Sequence, residues 1–239
     1  MKELYLVCNA HLDPVWQWTW QEGAAETLST FKSAADLCEE YDYIFCHNEQ
    51  WIYEFVEEYD PILFKRIQKL VEEGKWRIMG GWFLQPDVLL PAGESLVRQI
   101  QHGKKYFQEK FGMFPTSAIG FDAFGHSRGL VQVIKKCGQD SYILVRPQKH
   151  LLDLPNDYFI WEGYDGSEVK AIRCSGYNTF LGRALEETEK YVQENQAQEV
   201  GIMLWGVGNH GGGPSEEDWQ TICKFAEEHP EIAMIPTSI

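Results

Sequence analysis

The chain has 239 residues, enough for one large domain or two small ones, and at 44% hydrophobic and 24% charged it has an ordinary soluble globular composition. Its formal net charge of −15 argues against nucleic acid and anionic membrane surfaces as partners. No apolar run approaches the ~18 residues of a membrane span. The run near the N-terminus is too short for a signal peptide, and the six cysteines form no C-x-x-C pair, so a reducing, cytoplasmic setting is expected.

In chain order, Leu4–Cys8 predicts a first strand, running straight into Asn9-Ala10-His11-Leu12-Asp13-Pro14-Val15-Trp16. A helix follows to Tyr41, with Ala25, Leu28, Phe31, Ala35 and Cys38 at helical spacing. Tyr43–Cys46 reads as a strand ending at His47-Asn48-Glu49. Residues 51–59 and 61–73 read as helices, the second opened by Pro61 and closed by Gly74. Trp76–Met79 is a third strand, ending at Gly80-Gly81-Trp82, and a loop containing Asp87 leads to a helix over 94–111. Ser117–Phe121 is a fourth strand that stops at Asp122, and 128–137 is the helix behind it.

Ser141–Val145 is the next strand, ending at Arg146. A hairpin near 158–175 turns at Asp165-Gly166-Ser167. A helix over 185–196, a strand over 200–205, a glycine-rich loop from Gly206 to Pro214, a helix over 216–228 and a strand over 232–235 complete the chain. Strand and helix alternate with a period of roughly 30 to 40 residues, which predicts an α/β fold of parallel βαβ units. Seven strands fit this beat, so a barrel is expected first and a doubly wound open sheet second. The absence of a helix after the last strand suggests a piece of a longer protein.

The polar residues that interrupt the pattern fall at strand ends: His11 and Asp13, His47 and Glu49, Asp87, Asp122, Arg146, Asn209 and His210. In a parallel sheet these ends share one rim, where α/β folds carry their sites. His11 and Asp13 are two apart on extended backbone, with Cα atoms ~6.5 Å apart, so both side chains face one way. An imidazole and a carboxylate so placed can converge on one ion, and Asp122 can supply a third ligand. Such a set suits Zn²⁺, with Mn²⁺, Co²⁺ or Ca²⁺ as alternatives. Of the nine tryptophans, Trp16 and Trp82 lie beside these strand ends and offer faces to the C–H side of a sugar ring, while most of the others belong to the core.

Three stretches carry a family resemblance: His11-Leu12-Asp13-Pro14-Val15-Trp16, the run from Gly81-Trp82 through Pro86-Asp87 to Gly93-Glu94-Ser95-Leu96-Val97-Arg98-Gln99, and Asp122-Ala123-Phe124-Gly125-His126-Ser127. In order and spacing they resemble the N-terminal catalytic domain of the α-mannosidases of glycoside hydrolase family 38, over nearly the whole chain. The resemblance implies one N-terminal (β/α) barrel domain over 1–239, usually seven-stranded, of the glycoside hydrolase and deacetylase type, and part of a longer enzyme. It implies a retaining α-mannosidase with a bound Zn²⁺ or similar ion, His11 and Asp13 as ligands, and Asp122 as both ligand and nucleophile. Trp16, Phe124 and Arg146 would face the sugar, with Trp82, Asp87 and Asn209 as further substrate contacts.

A nucleophilic carboxylate must stay ionised, and an ion beside it both favours that form and grips sugar hydroxyls. Retaining hydrolysis then passes through a glycosyl-enzyme, with a second group acting as acid and then base. The family's usual carboxylate in the late loop is absent here; Gly208-Asn209-His210-Gly211 stands in its place, which leaves His210 as the candidate acid/base. The family's remaining metal-binding His falls beyond residue 239, so the chain alone is expected to bind metal weakly and to turn over little. The competing readings are a metal-dependent polysaccharide deacetylase, a sugar-binding domain without turnover, and a structural α/β domain. The expected partner is an α-mannoside, with a homo-oligomer of the full-length enzyme left open.

Overall fold

The computed structural model describes residues 1–177, 179–206 and 212–238. Its elements run β1 (Glu3–Asn9), α1 (Trp20–Glu40), β2 (Phe45–Glu49), α2 (Gln50–Tyr59), α3 (Pro61–Glu72), β3 (Trp76–Trp82), α4 (Gly93–Phe111), β4 (Ser117–Gly120) and α5 (Gly129–Lys136). They continue with β5 (Ser141–Leu144), β6 (Tyr158–Glu162), β7 (Glu168–Arg173), α6 (Ala184–Glu194), β8 (Val200–Trp205), α7 (Glu216–Glu228) and β9 (Ala233–Pro236). No described helix is long and apolar enough to cross a membrane. All six cysteines are free.

The expected alternation is present, and the fold is mixed α/β with parallel strands. One sheet is ordered β3-β2-β1-β8 with β9 also paired to β1; the other is ordered β4-β5-β7-β6. β1 runs parallel to β2, β8 and β9. β4, β5 and β7 are parallel, and β6 is the antiparallel arm of the predicted hairpin. Among the described residues neither sheet closes on itself, so the expected seven-stranded barrel is not seen as one closed ladder. Side chains hold β3 to β4 at backbone groups that a ladder would use. Ser117 Oγ accepts from Gly80 N–H at 3.2 Å, and the Trp82 indole donates to the Ile119 carbonyl at 2.9 Å. Gln139 Nε2 donates to the carbonyls of Gly80 and Ser117 at 2.8 and 3.1 Å.

The chain divides into two compact units. The first comprises Met1–Cys46, Glu54–Arg77 and Gly176–Ile239. Its helix α1 presents Phe31 edge-on to Phe45 and Trp76, with centroids 6.0 and 5.0 Å away. Arg66 on α3 reaches back to Asp36 and Glu39 on α1 at 2.6 and 2.9 Å. Trp205 at the end of β8 stacks on Trp219 of α7 at 6.0 Å. The second unit comprises His47–Tyr53 and Ile78–Ser175. Its core gathers Trp82, Ile100, Leu130, Ile134, Tyr142 and Leu144.

Two strands are longer than the residue pattern predicts. β2 runs on through His47 to Glu49 with every residue buried, and β3 runs on through Gly80 and Gly81 to Trp82. The two glycines read as a stop. Instead, both take φ of +81°, a left-handed conformation open to glycine, and carry the strand onward. Trp82 consequently lies in the core with none of its surface exposed. This corrects its assignment as a ligand-facing residue.

Helix α4 packs against this stretch at Gly103, where an added Cβ would lie 2.2 Å from the Gly81 carbonyl oxygen. Alanine normally stabilises a helix interior over glycine by up to ~1 kcal/mol. At Gly103 the sign should reverse, with Gly103→Ala costing about 1–3 kcal/mol from overpacking. Urea unfolding reads this directly, and a midpoint at or above wild type would contradict the packing described.

Candidate active site

β1 ends at Asn9, whose amide donates to the Trp205 carbonyl at 3.3 Å. Gly206 follows β8 at φ +148°, and an added Cβ there would fall 1.8 Å from the Asn9 carbonyl oxygen. The ends of β1 and β8 therefore press together, and the chain leaves β1 along a fixed path through Ala10 to Asp13. His11 is buried, its ring 4.9 Å from the Tyr177 ring. His11 Nε2 lies 3.5 Å from Asp13 Oδ1, and the Asp13 side chain is 27% exposed. The Trp18 indole donates to the Asp13 carbonyl at 3.0 Å. Trp16, half exposed, meets Trp18 edge-on at 5.4 Å. The carbonyl of Pro14 lies where a Cβ on Gly23 of α1 would fall, at 2.2 Å, so this loop is seated on the helix start. A nitrogen and an oxygen donor thus stand side by side at a partly open strand end.

In the second unit, the register of β4 and β5 pairs Gly120 with Leu144. Two residues further along each strand stand Asp122 and Arg146. Arg146 Nε and Nη2 both donate to Asp122 Oδ1, at 3.1 and 2.6 Å. The Phe124 ring, 83% exposed, covers the guanidinium carbon at 5.1 Å.

Arg146 is itself anchored through its backbone. His126 Nε2 contacts the Arg146 carbonyl at 2.9 Å, and His126 Nδ1 contacts the Tyr142 hydroxyl at 2.9 Å. A carbonyl only accepts, so Nε2 carries the proton and Nδ1 accepts from the phenol. Burial pulls the His126 pKa below its ordinary value, with the Arg146 carbonyl opposing part of that effect. Burial pushes the Tyr142 phenol far up. Gly120 makes room for the pair, because a Cβ there would lie 2.1 Å from the Tyr142 hydroxyl.

The residue before Asp122 is held from another direction. Gln85 Oε1 accepts from Phe121 N–H at 2.9 Å, and Glu49 Oε1 accepts from Gln85 N–H at 3.1 Å. Glu49 and His47 are buried within β2, with His47 Nε2 3.7 Å from Glu49 Oε2. These two residues were expected at an open rim; β2 instead extends through them, and Glu49 braces the Gln85 loop. Asp87 is exposed, and its Oδ1 accepts from the amides of Leu89 and Leu90 at 2.7 and 3.3 Å, which shapes its own turn.

Residues 1–238 match the family model for the glycosyl hydrolases family 38 N-terminal domain. The chain belongs to this family. Human alpha-mannosidase 2C1 is 30% identical over 213 residues, which cover 87% of this chain and 20% of the relative. The alpha-mannosidase of Saccharomyces cerevisiae is 25% identical over 231 residues, covering 94% of this chain and 21% of the relative. The chain spans about one fifth of the length of the curated relatives it matches. Among solved structures, an alpha-mannosidase from Enterococcus faecalis superposes with a TM-score of 0.85 at 21% identity, covering all of this chain and 28% of that one. A 4-alpha-glucanotransferase from Thermococcus litoralis gives 0.73 at 13% identity, covering 99% and 40%. At these identities the structural likeness shows the fold.

Against the family expectation, the structure brings Asp122, Phe124 and Arg146 into one cluster and His11, Asp13 and Trp16 into another. The first cluster belongs to the second unit and the second to the first. Among the described residues no group of three or more His, Cys, Asp or Glu side chains is gathered as a metal cluster. Asn209 and His210 lie outside the described residues. Gln85 and Tyr142 escaped the sequence reading. Gln85 is one polar residue in a loop, and Tyr142 sits in an apolar strand where an aromatic reads as core.

The His126–Tyr142 pair generates two expectations. Tyr142→Phe removes the donor to a partly buried ring nitrogen and should cost about 1–2 kcal/mol in chemical unfolding. His126 has a lowered folded pKa, so its unfolded form binds the proton more readily. Its contribution is complete above about pH 6.5 and is lost as pH falls through the lower folded value. The thermal midpoint should drop on acidification from pH 7 towards 5, and His126→Gln should flatten part of that drop. An unchanged pH dependence in the variant would show that His126 is not the group responsible.

Proposed function

We propose that the protein carrying this chain is a metal-dependent retaining α-mannosidase with Asp122 as its nucleophile. The observation that carries this reading is the Asp122–Arg146 pair. It is a carboxylate at the end of a parallel strand, held by two guanidinium hydrogen bonds, within a domain of family 38. Holding one carboxylate oxygen on the guanidinium restricts the carboxylate's rotation, and a positioned nucleophile removes much of the entropy of attack.

In the proposed reaction, a carboxylate oxygen of Asp122 bonds to the anomeric carbon as the bond to the leaving oxygen breaks. The acid protonates that leaving oxygen. Water, deprotonated by the same group, then displaces Asp122 and restores the carboxylate. His210 is proposed as this acid and base, and Trp16, Phe124, Asp87 and Asn209 as sugar contacts. Arg146 steadies Asp122 throughout.

His11 and Asp13 fit a metal: one nitrogen and one oxygen donor, 3.5 Å apart, with the histidine buried and the carboxylate partly open. They are proposed as ligands of Zn²⁺, with Asp122 as a third. When bound, the ion supplies positive charge for sugar hydroxyls.

An activated fluoromannoside that accumulates the glycosyl-enzyme tests the central claim. Peptide mass analysis should find one sugar on the peptide containing Asp122. Asp122→Asn should carry none and lose at least about 1,000-fold in aryl α-mannoside hydrolysis by the full-length enzyme. Acetate release without an adduct would favour a deacetylase, and sugar binding without turnover would favour a binding domain. For the metal, Zn²⁺ titration of the chelated chain should show binding that Asp13→Ala abolishes. Equal binding by both would remove the metal from His11 and Asp13.

A further inference from the structure

Beside Arg146 the second unit holds a pocket of about 600 Å³. Its walls are Leu151, Leu152, Leu154, Phe159 and Trp161, and it shares Phe124 and Arg146 with the Asp122 cluster. Leu151 and Leu152 are 67% and 47% exposed, more apolar surface than a loop needs to show.

Gln148 also lines this pocket, and the two other polar side chains on the wall away from Asp122, Arg173 and His126, are engaged within the loop and strand ends. Arg173 is buried, and its Nη1 donates to the carbonyls of Leu152 and Pro147. Its Nε and Nη2 donate to Asp157 Oδ1 at 3.0 and 2.8 Å. One guanidinium therefore clamps both ends of the loop that carries the leucines, which preforms the pocket. The ring nitrogens of His126 are occupied by Tyr142 and Arg146. A pyranose carries a hydroxyl on nearly every ring carbon, and along the wall of Leu151, Leu152, Leu154, Phe159 and Trp161 most of them would be buried against carbon. A pocket of this size lined by leucines and aromatic rings suits a flat or branched apolar group instead.

We propose that this pocket binds an apolar aglycone, aryl or alkyl, of the glycoside attacked by Asp122. The inference rests on the assignment of Asp122 as nucleophile, since the pocket's meaning comes from sharing Arg146 and Phe124 with it. It narrows the substrate class from α-mannosides in general to those whose leaving group is apolar beside the anomeric oxygen. Leu152 and Leu151 are the specificity-determining side chains. Arg173 is a positioning residue that acts through the loop.

The test is saturation-transfer NMR and affinity measurement on the full chain with three probes: 4-nitrophenyl α-mannoside, methyl α-mannoside and 4-nitrophenyl β-galactoside. The aryl mannoside should bind at least tenfold more tightly than the methyl glycoside, with the strongest saturation on its ring protons. Leu152→Asp should remove about tenfold of the aryl affinity and leave methyl mannoside within twofold. Leu152 is half exposed and its carbonyl, not its side chain, meets Arg173, so the variant should fold. Ile62→Ser, at an exposed leucine-like position on α3, should change nothing. Equal affinity for the aryl and methyl mannosides, absent saturation of the aryl ring, or an aryl preference untouched in Leu152→Asp would each overturn the proposal. If the β-galactoside binds as well as the α-mannoside and both weaken in Leu152→Asp, the pocket stands and the mannosidase assignment fails.

Discussion

The pairing of Gly120 with Leu144 across two four-residue strands is the constraint on which the candidate chemistry depends. Parallel strands in register advance together, so the residues two beyond the pair, Asp122 and Arg146, arrive side by side. A slip of one residue would turn alternate side chains to the other face and separate them. The register is reinforced from within. Tyr142 on β5 reaches over Gly120 on β4 to His126, and His126 returns to the Arg146 carbonyl. The same contacts that align the strands therefore hold the backbone of the arginine that grips the carboxylate.

Support for Asp122 comes from directions that are distant in sequence. Gln85 fixes the amide of Phe121, Glu49 fixes Gln85, and Ser117, Gln139 and Trp82 join β3 to β4 without a regular ladder. Each of these groups is buried or half buried, where an unmade hydrogen bond costs about 1–3 kcal/mol. Misplacing any one would therefore be felt by its partners. Such over-determination is what the nucleophilic role proposed for Asp122 would require, because small displacements from the attacking geometry cost rate steeply.

The surroundings of the Asp122–Arg146 pair are chemically uneven. The carboxylate, guanidinium and exposed Phe124 ring present charge and a π-face, which suit a sugar. In the pocket that shares Arg146 and Phe124, Arg173 has drawn the loop carbonyls to itself and left leucine side chains outward. The proposed sugar site takes in the first surface. The second follows from how one buried arginine is spent on its own loop.

Much of the fold was legible in the residues themselves. Apolar periodicity and turn residues marked each strand and helix, because burial of one face must repeat with the element's own period. The motifs His11-x-Asp13 and Asp122-x-Phe124-Gly125-His126-Ser127 marked strand ends, because polar residues break an apolar run only where the chain leaves the core. Three things were decided by tertiary structure alone. Gly80 and Gly81 look like a stop, yet both take a left-handed φ of +81° that glycine adopts freely, the Asn48 side chain crowds Gly80, the strand continues, and Trp82 is buried. Gln85 and Tyr142 bear no local mark, since their roles come from partners 36 and 16 residues away. The meeting of Asp122 with Arg146 was set by strand register, a relation between segments that no single stretch of sequence contains.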